Sequence, residues 1–130
     1  MEFLKIKETC LYVTDLDTCR VFYRDTLGLE EISFVPGKHL FFRAGSSVLL
    51  LFNSEDSKTK TSPPPHYASG NQHFAFEVRD ADYQKAKQEI VSKGITIIDE
   101  VTWKTGKKSF YFRDPENNVL EIIPENGIWD

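Results

Sequence analysis

Between Gln72 and Val78 the chain alternates: Phe74, Phe76 and Val78 are apolar, and His73, Ala75 and Glu77 fall between them. A two-residue period is the mark of a strand with two unlike faces. The Phe/Phe/Val face predicts a packed side, and the other carries a histidine and a carboxylate. An offset of 65 residues lays Glu8–Val13 over His73–Val78, and Thr14-Asp15-Leu16-Asp17 over Arg79-Asp80-Ala81-Asp82. The same unit is therefore expected twice. A titratable residue opens each copy: Glu8 in the first, His73 in the second.

The rest of each copy follows in one order. Residues 5–13 predict a strand, and Thr14-Asp15 an N-cap with Asp15 and Asp17 favourable in the first helical turn. Leu16, Cys19, Tyr23 and Leu27 recur at helical spacing up to Gly28, which serves as the stop. Strands are predicted over 29–35, 38–44 and 48–53, with Pro36-Gly37 and Gly45-Ser46-Ser47 as turns. In the second copy the strand 72–78 leads to a helix over about 81–92, with Tyr83, Ala86 and Ile90 on one face and Gly94 as its stop. Strands over 95–103, 108–113 and 119–123 complete it. Val48-Leu49-Leu50 lies over Val119-Leu120-Glu121 at an offset of 71, so the drift between copies falls in loops and helix ends. The reading is α+β, βαβββ twice, in a single domain. Module 1 spans about 4–53, module 2 about 72–124, and a tail covers 125–130. Between the modules, Ser54 to Asn71 is polar, aperiodic and rich in proline (Pro63, Pro64, Pro65). It reads as a linker or a lid over the site.

Composition narrows the class. The chain has 130 residues, 40% of them hydrophobic and 28% charged, as in a soluble globular protein that buries a core without disulfides. A net charge of −4 and a pI near 5.4 argue against nucleic acid as a partner. The longest apolar run, Val48 to Phe52, is far short of a membrane span, and the N-terminus shows no signal-peptide pattern. Cys10 and Cys19 lack CxxC spacing and read as reduced thiols of a cytoplasmic protein.

Alternation also sorts the chemistry. Glu8, Cys10 and Tyr12 share the face that His73 occupies in the second copy, while Leu11 and Val13 match Phe76 and Val78. Glu121 sits within a strand between apolar neighbours, and a buried carboxylate needs a partner. Convergence of Glu8, His73 and Glu121 on one divalent metal satisfies all three; two carboxylates and an imidazole suit Mn²⁺, Fe²⁺, Ni²⁺ or Zn²⁺. Each residue also has an ordinary reading. Glu8 can be a solvated strand carboxylate, His73 a satisfied core histidine, and Glu121 a partner of Arg43 or Arg113.

Tyr12, Phe41 or Phe42, Phe52, Trp103, Tyr111 and Trp129 are candidate pocket walls as well as core. Arg43 and Arg113 are candidate clamps for an anionic group. His66, after the three prolines, is a candidate lid residue or proton donor, with a solvated loop histidine as the alternative.

Four segments carry a family resemblance: Glu8–Leu16, Phe22-Tyr23-Arg24-Asp25-Thr26-Leu27-Gly28-Leu29, Gly70–Val78 and Tyr111–Glu121. On these the sequence resembles the vicinal oxygen chelate superfamily, which includes glyoxalase I, fosfomycin-resistance proteins, extradiol dioxygenases and bleomycin-resistance proteins. The resemblance implies two βαβββ modules forming a curved mixed sheet around a metal-binding groove. Its ligands fall on Glu8, His73 and Glu121, and its fourth glyoxalase I ligand on Leu50, which cannot bind a metal. It implies an enzyme acting on a small molecule with adjacent oxygens, as a lyase, isomerase or group-transfer enzyme. Glu121 and His66 are then the catalytic candidates, and Tyr12, Arg43, Phe52, Trp103, Tyr111 and Arg113 the substrate-binding ones. It implies a homodimer too. The alternatives are a metal-free drug-binding protein of the bleomycin-resistance type and an Fe²⁺ extradiol dioxygenase. The latter usually carries His where this chain has Glu8. Nothing in the sequence points to glutathione.

Overall fold

Residues 1–129 are described by a computed structural model, in which the chain forms two compact units: Met1–Gly70 and a second from Asn71 onward. Each is built on the same plan.

In the first unit, β1 (Glu8–Val13) leads to a short helix, α1 (Leu16–Arg20). Asp15 caps α1 by accepting from the Thr18 backbone N–H at 3.0 Å and from the Thr18 hydroxyl at 2.7 Å. These bonds to the charged form hold the exposed Asp15 carboxyl below its usual range, the side-chain bond being the largest cause. Where the spacing predicts one continuous helix, Val21–Thr26 instead winds as a π-helix, with Leu27 N–H reaching back to the Phe22 carbonyl. The wider turn leaves Tyr23 fully buried against Phe42. β2 (Glu30–Val35), β3 (His39–Ala44) and β4 (Ser47–Asn53) follow. The sheet order is β1-β4-β3-β2, with β1 and β4 parallel and the other pairs antiparallel. Leu11, Val13, Leu40, Phe42, Leu49 and Leu51 fill the side facing α1.

The second unit repeats this. β5 (His73–Val78), a 3₁₀ turn at Asp80–Asp82, α3 (Tyr83–Ser92), β6 (Asp99–Thr102), β7 (Lys108–Arg113) and β8 (Val119–Pro124) give the order β5-β8-β7-β6. β6 is much shorter than 95–103, the stretch the sequence marks as strand. Phe110, Phe112 and Leu120 are fully buried on the α3 side. There Glu100 accepts from Tyr83 Oη and Lys87 Nζ at 3.0 and 2.8 Å.

The pairing registers show how close the two copies are. Glu8 pairs with Val48 as His73 pairs with Val119, and Cys10 pairs with Leu50 as Ala75 pairs with Glu121. The offsets of 65 and 71 seen in the sequence are therefore structural equivalences. The fold is two βαβββ modules of an α+β protein.

The linker is more ordered than its composition suggests. It begins with one helical turn, α2 (Ser54–Ser57), whose N-cap Asn53 accepts from the Glu55 N–H at 3.1 Å. The His66 N–H then returns to the Ser57 carbonyl.

Candidate functional site

Each sheet has one side packed on its helix, and the candidate residues divide between the two opposite sides, the open sides, although Leu50, Phe52 and Glu121 on them are buried. On the second sheet, β8 runs between β5 and β7. Register places His73, Val119 and Arg113 in one row, and Ala75, Glu121 and Tyr111 in the next. His73 Nδ1 lies 2.8 Å from the Val119 carbonyl oxygen. A carbonyl only accepts, so Nδ1 is the donor there, and Nε2 is left 3.3 Å from Glu121 Oε2. Glu121 is 5% exposed, and among the described residues its other oxygen, Oε1, has no hydrogen-bond partner. A ring nitrogen and a carboxylate oxygen meeting beside a buried oxygen with no partner form a donor set suited to a cation.

Neighbouring groups complete that side. Tyr111 stands across from Glu121; burial raises its phenol above the ordinary range, Ser109 partly offsets this, and the Glu121 carboxylate adds to it. Trp103 Nε1 donates to Ser109 Oγ at 2.9 Å. Arg113 is exposed and donates to the Asn117 carbonyl at 3.1 Å.

The turn before β8 fixes this geometry. Asp114 and Asn118 are both buried. Asp114 Oδ1 accepts from the N–H groups of Glu116 and Asn118, each at 2.9 Å, and Oδ2 from Asn118 Nδ2 at 3.0 Å. Asn118 Oδ1 in turn accepts from the Gln72 N–H at 2.9 Å, and Val119 N–H donates to the Gln72 carbonyl at 2.8 Å. The residue before His73 and the residue its ring binds are thereby tied together. Asn117 takes the left-handed turn conformation at φ +64°, a position asparagine tolerates.

On the first sheet the open side reads in three rows. Glu8, Val48 and Arg43 form one, Cys10, Leu50 and Phe41 the next, and Tyr12, Phe52 and His39 the third. Glu8 and Cys10 are exposed, and Arg43 pairs loosely with Glu30 at 3.5 Å. Burial and the Glu8 charge raise the Cys10 thiol, so it is a poor nucleophile. Leu50 occupies the place that Glu121 holds in the second sheet.

Several expectations are revised here. Glu121 faces His73 and neither arginine. Phe42 is a core residue fully buried against Tyr23, so Phe41 is the aromatic on the open side. Trp129 is 83% exposed near the C-terminus. His66 is no solvated loop residue: its Nδ1 is 2.7 Å from Tyr12 Oη, and its ring sits edge-on to Phe52 with centroids 4.6 Å apart. The sequence reading also passed over His39, which stacks on Phe41 at 4.0 Å and meets Ser33 Oγ at 3.0 Å. Its alternation with Phe41 and Arg43 along β3 was the available signal. Among the described residues no three His, Cys, Asp or Glu side chains are already gathered as a metal site. His73 and Glu121 are a pair, and Glu8 lies in the first unit.

A family model described as the Glyoxalase/Bleomycin resistance protein/Dioxygenase superfamily matches residues 5–122. The chain belongs to this superfamily, the vicinal oxygen chelate proteins. Glutathione transferase FosA from Serratia marcescens is 32% identical over 116 residues, covering 86% of this chain and 74% of FosA. Metallothiol transferase FosB from Staphylococcus epidermidis is 26% identical over 123 residues, covering 94% and 82%. Among solved structures, a lactoylglutathione lyase from Agrobacterium tumefaciens superposes with a TM-score of 0.88 at 36% identity, covering 93% of each chain. These relatives and the donor pair on the second sheet are consistent with a divalent metal. No helix among the described residues is long and apolar enough to cross a membrane.

Proposed function

We propose that the protein is a metal-dependent enzyme that acts on a small molecule with two adjacent oxygens. The observation that carries this reading is the His73–Glu121 pair, with imidazole Nε2 3.3 Å from a buried carboxylate whose second oxygen has no hydrogen-bond partner among the described residues. His73 Nε2 and Glu121 would hold the ion, and Glu8, at the register position equivalent to His73, would be the candidate third ligand. A bound Mn²⁺, Fe²⁺, Ni²⁺ or Zn²⁺ supplies Lewis-acid polarisation of the substrate oxygens. The protein groups do the rest. Tyr111 and Trp103 would border the ion on the second sheet, and Arg43, paired loosely with Glu30, and Arg113, which donates to the Asn117 carbonyl, are exposed cations for an anionic substituent. Tyr12 Oη and His66 Nδ1 share a hydrogen bond at 2.7 Å, and His66 is the candidate proton donor.

Within this class, group transfer is favoured over the lyase. FosA and FosB are named as transferases, whereas the lactoylglutathione lyase reading needs a fourth ligand where this chain has Leu50. The thiol donor such names imply is part of the proposal. So is a homodimer, to which β1 and β5 offer themselves as end strands of their sheets.

Metal content decides the matter. Protein purified without chelator should carry about one equivalent of a transition metal by elemental mass spectrometry, and His73→Ala should carry none. If His73→Ala, Glu8→Ala and Glu121→Ala all kept full occupancy, the assignment would be wrong. Ligand binding indifferent to chelator would favour the metal-free, drug-binding alternative.

A further inference from the structure

Ser109 is a fully buried hydroxyl in the second sheet, close to the His73–Glu121 pair. It lies on β7 two residues from Tyr111 and on the same side, while Phe110 between them packs on the other side against Tyr83 of α3. Trp103 stands in the turn between β6 and β7. That turn is closed by the Trp103 N–H on the Lys107 carbonyl at 2.8 Å and by the Gly106 N–H on the Trp103 carbonyl at 2.9 Å. From there the indole Nε1 donates to Ser109 Oγ at 2.9 Å. On the far side of Ser109, Tyr111 has Glu121 as its cross-strand partner on β8, and its ring centroid lies 6.2 Å from that of His73.

Donor and acceptor capacity gives these contacts a single direction. An indole nitrogen only donates and a carboxylate only accepts. The Ser109 oxygen already accepts from Trp103, so its one proton is available to Tyr111. The phenol responds in the matching sense. Burial is the first cause of its rise above the ordinary range; the Ser109 hydrogen bond lowers it and the Glu121 hydrogen bond raises it. A neighbour that donates to a phenol oxygen favours the phenolate, and one that accepts the phenol proton disfavours it. The order is therefore Trp103 N–H to Ser109, Ser109 O–H to Tyr111, and Tyr111 O–H to Glu121. Bonds aligned in this way strengthen one another, and the burial of Ser109 keeps water from competing for its hydroxyl.

We propose that Ser109 is a positioning residue for Glu121: with its oxygen held by Trp103, it turns the Tyr111 hydroxyl onto that carboxylate and so steadies the carboxylate beside His73. The role rests on the metal reading above, with Glu121 as a ligand. Every group in the chain belongs to the second sheet or to its β6–β7 turn. Hydrogen-bond partners of ligating side chains orient them, and losing such a partner costs about 10–100-fold in metal affinity.

The test titrates Zn²⁺ by calorimetry into the full-length protein, Ser109→Ala, Tyr111→Phe and the double variant. Tyr111→Phe should weaken Zn²⁺ by about 10–100-fold, and Ser109→Ala by a smaller factor. The double variant should bind as Tyr111→Phe alone does, because Ser109 acts through the phenol. A serine that mattered only for packing would add its loss to that of Tyr111. Losses that add, or wild-type affinity in a folded Ser109→Ala, overturn the relay. Should Ser109→Ala fail to fold, Trp103→Phe carries the same cycle against Tyr111→Phe, with the same two outcomes. Indole N–H resonances give a second readout that needs no metal. The chain has two tryptophans and Trp129 is exposed, so the Trp103 signal should be the one slow to exchange. In the metal-free protein Tyr111→Phe should move the Trp103 signal through Ser109 and leave that of Trp129 in place. An unmoved Trp103 signal overturns the relay whatever the metal does. Wild type that takes up no Zn²⁺ although the signal moves overturns the metal reading, and with it the role of Ser109 toward a ligand.

Discussion

His73 Nε2 and Glu121 Oε2 meet at 3.3 Å, and the other ring nitrogen, Nδ1, is already committed to the Val119 carbonyl. An enclosed carboxylate in that position costs stability unless something positive stands with it. Glu121→Leu copies into the second module what Leu50 already is in the first. It should abolish metal binding yet stabilise the metal-free protein by about 1–3 kcal/mol. Chemical denaturation with and without chelator measures both. A metal-free Glu121→Leu protein less stable than wild type would mean that the carboxylate is satisfied in some other way.

Asn118 is expected to matter beyond its own bonds. Asn118→Ala removes the acceptor of the Gln72 N–H and a donor to Asp114 in a fully buried place. A loss of about 1–3 kcal/mol in stability follows. Metal affinity should fall by about 10–100-fold, since the ring of His73 is aimed through Gln72 and Val119. Calorimetric metal titration at a temperature where the variant is fully folded separates the two effects. Affinity equal to wild type would show that β5 and β8 hold the ring without this turn.

Metal should also protect the fold. If the ion binds only the native state, saturation at a hundred times Kd raises stability by about 2.7 kcal/mol. Adding a chelator should therefore lower the melting temperature of wild type and leave His73→Ala unmoved. A shift of equal size in both proteins would place the bound metal elsewhere.

Each unit has a half-buried carboxylate whose ion pair contributes to acid sensitivity. In the first, a side-chain bond from Arg20 is the main cause holding the Glu31 carboxyl below its usual range, the two oxygens accepting from Nε and Nη2 at 2.7 and 3.0 Å. In the second, Lys87 chiefly, with Tyr83, does the same for Glu100. A depressed carboxylate contributes above its unfolded pKa of about 4.3 and loses that contribution as pH falls through the lower folded value. Glu31→Gln and Glu100→Gln should each cost about 0.5–1 kcal/mol at pH 7 and flatten the fall in stability below about pH 4.5. Urea midpoints from pH 7 to pH 3 test this; an acid limb as steep in the double variant as in wild type would assign it to other groups.

What could be read from the residues depended on period. Strands repeat every two residues, so offsets of 65 and 71 carried real register, and the faces of Glu8, His73 and Glu121 followed from counting. The helix after β1 was legible in its cap and its buried Leu16 and Cys19. Its widening into a π-turn was not, because apolar spacing is nearly the same for both windings. His66 was hidden for a different reason. Its partner Tyr12 is 54 positions away, and a loop has no period to point across such a distance. Phe41 and Phe42 are adjacent apolar rings that alternation alone assigns to opposite faces; only the buried contact with Tyr23 says which one is core.

The shared register of the two modules has an evolutionary consequence. The repeat supplies two equivalent frames whose sides away from the helices differ: one bears Glu8, Tyr12, Phe41 and Phe52, the other His73, Tyr111 and Glu121. Substitutions at Phe41, Leu50 or His66 leave the strand pairing that supports His73 and Glu121 untouched. Changes on one frame can therefore accumulate without disturbing the strand register of the other.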